Sequence, residues 1–189
     1  MFKELYIKRV GYYYDFFSDI KFCKLRFTYS INHKIFKGTT GELIDADSKS
    51  CFKIFQKLKF IDFNDYLELE INSSKIGIYE AIQPYPHWYI NISNLKYCIY
   101  RNNEARFSIY KNEMQIGGII KDKLDFFNKS NYHIKTDEPE SIEIQLALFL
   151  AINFSKSNED ATLTFEINSS YYKDADLAWF KCHFESIKI

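Results

Sequence analysis

Residues 137–154 read Asp137-Glu138-Pro139-Glu140-Ser141-Ile142-Glu143-Ile144-Gln145-Leu146-Ala147-Leu148-Phe149-Leu150-Ala151-Ile152-Asn153-Phe154. Acidic residues around a proline suit the first turn of a helix, where an N–H has no partner to lose. From Leu146 to Ile152 apolar residues follow one another without a break. Past its first turn such a helix has no polar face, and a helix that is apolar all round must be buried all round. Pro139 to Phe154 spans about 24 Å at 1.5 Å per residue, short of a hydrocarbon core of roughly 30 Å. The stretch also carries Glu143 and Gln145. Both facts argue against a membrane span and for a helix threaded through the rest of the chain.

The rest of the chain has the period of strands. Cys23, Leu25, Phe27, Tyr29 and Ile31 alternate with Lys24, Arg26, Thr28 and Ser30, the pattern of a half-buried strand. Asn32-His33 offers a turn into His33–Lys37, and Gly38–Gly41 a second into Glu42–Ile44. Further runs follow at Phe52–Phe55, Leu67–Ile71, Ile76–Tyr79, Trp88–Ile92, Leu95–Arg101, Arg106–Lys111, Met114–Lys121 and Tyr132–Thr136. Asn72-Ser73-Ser74, the Asn102-Asn103 pair and Asn112 supply turns, since Asn tolerates left-handed backbone. Gly117-Gly118 inside a good strand predicts a bulge or a sharp bend, as at a barrel corner. Roughly ten short strands at this spacing predict a barrel or sandwich. The fold expected is mainly β, an antiparallel closed barrel around one central hydrophobic helix at about 139–154. Residues 1–154 form the barrel and its helix, and residues 155–189 a C-terminal extension packed on it. Within the extension Thr162–Ile167 reads as a strand, and Tyr171–Ile189 fits helix or strand.

Composition narrows the function classes. The 189 residues carry 25 basic and 25 acidic side chains, so the net charge is zero, which argues against a protein that coats nucleic acid. Hydrophobic content of 47% with few Gly and Pro excludes disorder and low complexity. The amino terminus scatters charges through Met1–Arg9 and has no apolar signal core, so the expected location is cytoplasmic, with or without peripheral contact to a membrane. Cys23, Cys51, Cys98 and Cys182 have no paired spacing and are expected to be buried free thiols. His33, His87, His133 and His183 are dispersed, so neither metal nor cofactor is expected. No nucleophile and general base can be paired, and an enzyme is not expected.

The segments Phe107–Asn112, Gln115–Lys121, Asn131–Ile134 and the helix Ile142–Phe154, taken in that order, resemble the tubby-like fold, in which a closed barrel surrounds a hydrophobic helix. They are most similar to the LURP-one-related branch and its small bacterial relatives. The resemblance covers Leu67–Phe154, with strand-pattern support from Tyr6–Phe60. The chain departs from that pattern in its extension past the helix and in Asn153, where relatives often have an acidic residue. The resemblance implies a non-enzymatic binding or scaffold protein, in some relatives linked to phospholipid membranes or phosphoinositides.

Two groups of residues are candidate contacts. Gln83-Pro84-Tyr85-Pro86-His87-Trp88-Tyr89 is a proline-stiffened segment whose Tyr85, His87 and Trp88 either meet a ligand or partner or cap one end of the barrel. The basic residues Lys21, Lys24, Arg26, Lys121 and Lys123 suit an anionic lipid headgroup or membrane surface if they converge, and are solvated strand faces if they do not. A protein partner, of the immunity or inhibitor type, is the alternative and would use the extension and the Pro84–Trp88 loop.

Overall fold

Period-two alternation becomes twelve antiparallel strands, each pairing with the next, and β1 pairs with β12 to close the ring. A computed structural model describes residues 4–10, 13–19, 21, 23–34, 38–57, 66–81, 87–103, 105–121, 131–156 and 177–184. The strands are β1 Glu4–Val10, β2 Tyr13–Phe17, β3 Leu25–Lys34, β4 Gly38–Asp45, β5 Ser50–Lys57 and β6 Tyr66–Ile71. They continue with β7 Ser74–Ala81, β8 His87–Ile92, β9 Leu95–Asn103, β10 Arg106–Lys111, β11 Met114–Lys121 and β12 Asn131–Thr136. After a 3-10 turn at Pro139–Ser141 comes α1, Ile142–Lys156; a second helix, α2, spans Leu177–Phe184. The mainly β closed barrel expected from the sequence is therefore the observed architecture. Thr162–Ile167 lies outside the described residues.

The alternation sorts side chains between the two faces of the wall. Leu5, Ile7, Tyr14, Phe16, Phe27, Tyr29, Leu43, Phe52, Ile54, Leu67 and Leu69 are buried in one core cluster with α1. Leu146 to Ala151 have no exposed surface. Phe149 meets three ring edges: Tyr14 of β2 at 6.4 Å, Phe107 of β10 at 6.2 Å and Tyr132 of β12 at 5.0 Å. The same helix packs against β5, β8 and β9. These strands are spread round the whole ring, so α1 is inside it. Each fully buried Leu or Phe on α1 contributes about 1.5–3 kcal/mol, and the helix satisfies its own backbone within a wall that offers it no ladder.

Two predicted turns are instead strand. β3 runs through Asn32-His33 without a break, and Gly38–Gly41 lies within β4, paired residue for residue with Ile31–Lys34. Gly41 is needed for close approach rather than for turning. A Cβ there would overlap the Tyr29 hydroxyl, so the missing side chain lets the Tyr29 ring lie across β4. A third, Asn102-Asn103, is the end of β9, with Asn103 paired to Arg106; the remaining predicted turns are where the sequence puts them. Asn72 and Ser73 both take positive φ (50° and 62°), the mirror-image geometry that two-residue hairpins need, and Asn112 does likewise at 54°.

Gly117-Gly118 also meets its expectation. The β10–β11 register shifts between Ile109 and Tyr110, leaving Ile116 as the extra residue of a bulge beside the glycines. The two glycines then serve opposite sides of the wall. A Cβ on Gly117 would come within 2.7 Å of Gln145 Oε1 on α1, and one on Gly118 within 2.6 Å of Trp179 Cζ3 on α2. One bulge thus lets a helix approach from each side.

The connections after even-numbered strands, together with the start of α1, lie on one rim, here the entry rim. Odd-numbered strands end on the opposite, far rim.

Candidate functional site

The β2–β3 connection on the entry rim carries Lys21 and Lys24, both exposed, followed by Leu25, which is 41% exposed, and Arg26 at the start of β3. Its shape is set by Asp19. One oxygen of that carboxylate accepts from the backbone N–H of Lys21 at 3.0 Å and of Cys23 at 3.3 Å, and the other from Lys24 N–H at 2.7 Å. Ser18 N–H donates to Lys24 O at 3.1 Å, and Arg26 Nε donates to Ser18 Oγ at 2.9 Å. Desolvation acts to raise the Asp19 pKa, but the three N–H donors and the Lys24 ammonium outweigh it and hold the carboxyl below its usual range. The loop is an internally neutralised frame: its converging amides already hold an anion of the chain's own. Lys21 and Lys24 are exposed beside this frame, and Arg26, half-buried, is braced against it through Ser18.

The remaining candidates do not join them. Lys121, half-buried, ends β11 on the far rim, opposite Tyr132. Lys21, Lys24 and Arg26 are on the entry rim, so the basic residues form no single cluster with Lys121. Lys123 and Tyr85 lie outside the described residues. His87 and Trp88 are 5% and 6% exposed, so neither is displayed. Trp88 pairs with Ile99 and belongs to the core that wraps α1, in the wall rather than as a cap at one end. His87 points outward and is covered by rings, stacking on Tyr100 at 4.7 Å and lying 5.8 Å from Tyr89.

Cysteine placement corrects the expectation in part. All four are free thiols and Cys98 is buried, but Cys23 and Cys182 are exposed and Cys51 is half-buried. Cys23 sits in the exposed β2–β3 turn, and Cys182 lies on α2 away from the face that buries Phe180 and Phe184. Burial, with Glu143 and Asp45 nearby, pushes the Cys51 thiol up to about 11, away from thiolate chemistry. Among the described residues no group of three His, Cys, Asp or Glu side chains is placed to hold a metal ion. No described helix is long and apolar enough to cross a membrane.

Sequence reasoning missed a cluster on the outer face where α2 docks. Asp137, between β12 and the 3-10 turn, accepts from Trp179 Nε1 at 2.9 Å through Oδ2 and from His183 Nε2 at 2.8 Å through Oδ1. His183 Nδ1 lies 2.8 Å from Trp179 O, and the two rings stack at 3.9 Å. The available signal was aromatic spacing: Trp179, Phe180 and Phe184 come round to one helical face. The mix of Asp and Lys upstream hid it.

Comparison with known proteins adds no relative. No family model matches the sequence, and neither curated proteins nor solved structures give a match. The twelve-strand closed barrel with its helix is consistent with a tubby-like fold without identifying one.

Proposed function

We propose that the protein is a non-enzymatic binding or scaffold protein of tubby-like type whose ligand is an anionic phospholipid surface, met by the β2–β3 connection. The observation that carries this reading is the composition of that loop: Lys21, Lys24 and Arg26 beside the exposed Leu25, on a frame braced by Asp19. Three cations near an anionic leaflet contribute about 1 kcal/mol each. Seating one leucine in the interface adds roughly another 1–2 kcal/mol. Such a sum gives reversible, salt-sensitive attachment at the membrane surface. Lys121 on the far rim takes no part in it.

Flotation with vesicles containing phosphatidylserine or a phosphoinositide tests the reading. At low salt the protein should float, it should sink when salt is raised several-fold because the charges are screened, and Lys21→Glu with Lys24→Glu should abolish flotation. No flotation with anionic vesicles at low salt, or flotation unchanged by the double variant, rejects it. The protein-partner alternative has less support, because α2 turns its aromatic side chains onto the barrel rather than outward.

A further inference from the structure

Outside that loop, the most unusual group in the molecule is His133 on the outer face of β12. Its ring is stacked on Tyr6 of β1 at 4.2 Å and 15°, and makes a T-shaped contact with Phe184 of α2 at 5.2 Å and 86°. Nε2 lies 3.4 Å from Glu4 Oε2, an ion-pair distance, yet makes no directed hydrogen bond among the described residues. Glu4 also meets the Lys135 ammonium at 3.3 Å, and Lys135 itself sits 5.5 Å over the Phe184 ring. A proton added to His133 would therefore enter a site closed by an aromatic helix, beside a lysine, and opposite a carboxylate already engaged.

We infer that α2 is an acid-released latch: it docks over His133 while that imidazole is neutral, and protonation of His133 drives the helix off the barrel. The rest of the docking site fits a detachable element. Phe180 and Trp179 seat at the notch that Gly118 leaves, Arg106 lies 6.0 Å over the Phe180 ring, and Asp137 holds Trp179 and His183. All these contacts are on the outer face, so losing them leaves the core around α1 intact.

The groups facing His133 are Glu4 and Tyr6 from β1, Lys135 from its own strand, and Phe184 from α2, with His183 and Asp137 in the same interface. Burial, aided by Lys135 and opposed by Glu4, lowers the His133 pKa to about 4 in the docked state. With α2 away the ring regains water and an ordinary value near 6.5. The undocked state then binds protons more readily, so docking is complete above the ordinary value and weakens as pH falls toward 4. Between pH 7 and pH 5 the undocking equilibrium should rise about twentyfold.

Amide hydrogen exchange on the full chain tests the latch, with protection corrected for the intrinsic pH dependence of exchange. Protection of 177–184 should fall about twentyfold from pH 7 to pH 5 while 142–152 stays protected. His133→Phe keeps the ring contacts without a titrating group and should hold α2 protected at both pH values; His133→Gln provides a second, smaller neutral side chain should the first disturb folding. Asp137→Asn should lower protection at both pH values and leave their ratio unchanged. Protection of α2 that is constant from pH 7 to pH 5, or a fall that survives both His133 variants, or one removed by His183→Gln instead, overturns the proposal.

Discussion

Tyr29 shows how tightly single positions are specified. Its hydroxyl is fully buried with no hydrogen-bond partner among the described residues, and burial raises its pKa well above the usual phenol value. The ring is kept because it fills the space over Gly41. Two outcomes are expected. Gly41→Ala should destabilise by about 1–3 kcal/mol, the range for overpacking a core. Tyr29→Phe should be neutral or stabilising, since a buried hydroxyl without a partner only costs desolvation, and combining the two should recover only part of the Gly41→Ala loss, because the ring carbon Cζ would still overlap the new Cβ and Cε2 would lie 2.8 Å from it. Urea midpoints of the four chains measure this cycle, and strict additivity would show that the pair does not interact. Leu148, with no exposed surface, gives the sharper test of the central helix. Leu148→Asp should unfold the protein by burying an unpaired charge, and a soluble, native-like variant would contradict the arrangement.

Between elements, the junction that matters most is the entry of α1. Gln145 Nε2 donates within 2.8 Å of Thr136 Oγ1, 2.9 Å of Ser141 Oγ and 3.1 Å of Glu138 O, tying β12, the 3-10 turn and the helix together. Lys111 of β10 reaches Glu138 Oε2 at 2.8 Å across the same junction. Gln145→Ala should cost roughly 1–3 kcal/mol through lost hydrogen bonds and a cavity, read as a lower thermal midpoint. Little of this was legible in the sequence, where Gln145 registered only as a residue out of place in a membrane span. Period reveals which face a residue takes; it does not reveal which buried amide meets which hydroxyl. The helix itself was legible because seven consecutive apolar residues leave a single solution. The strands Leu67–Ile71 and Arg106–Lys111 were legible from alternation, while β1 and β2 were not delimited. Leu5 and Ile7 carry too short an alternation, among Glu4, Lys8 and Arg9, to stand out. The candidate site was legible as residue types but not as places, since adjacency across a ring depends on closure that no local pattern records.

For the molecule as a whole, closure depends on β1 and β12, which join Glu4 to Lys135 and Lys8 to Asn131. Deleting residues 1–12 should open the ring and leave β2 and β12 with unpaired edges, and the truncated chain should aggregate or bind an amyloid dye where the intact chain does not. A monodisperse, cooperatively unfolding truncation would argue against that dependence. The order of elements along the chain also bears on how the protein is made. On the ribosome all twelve strands emerge before Ile142, so the wall is complete in sequence while its filling is still in the exit tunnel. Early strands must wait, inward faces uncovered, until α1 arrives and the first strand can meet the twelfth. Synthesis therefore passes through an interval in which a nascent sheet needs shielding from its neighbours, and a pause placed just before the codons for 142–156 would lengthen it.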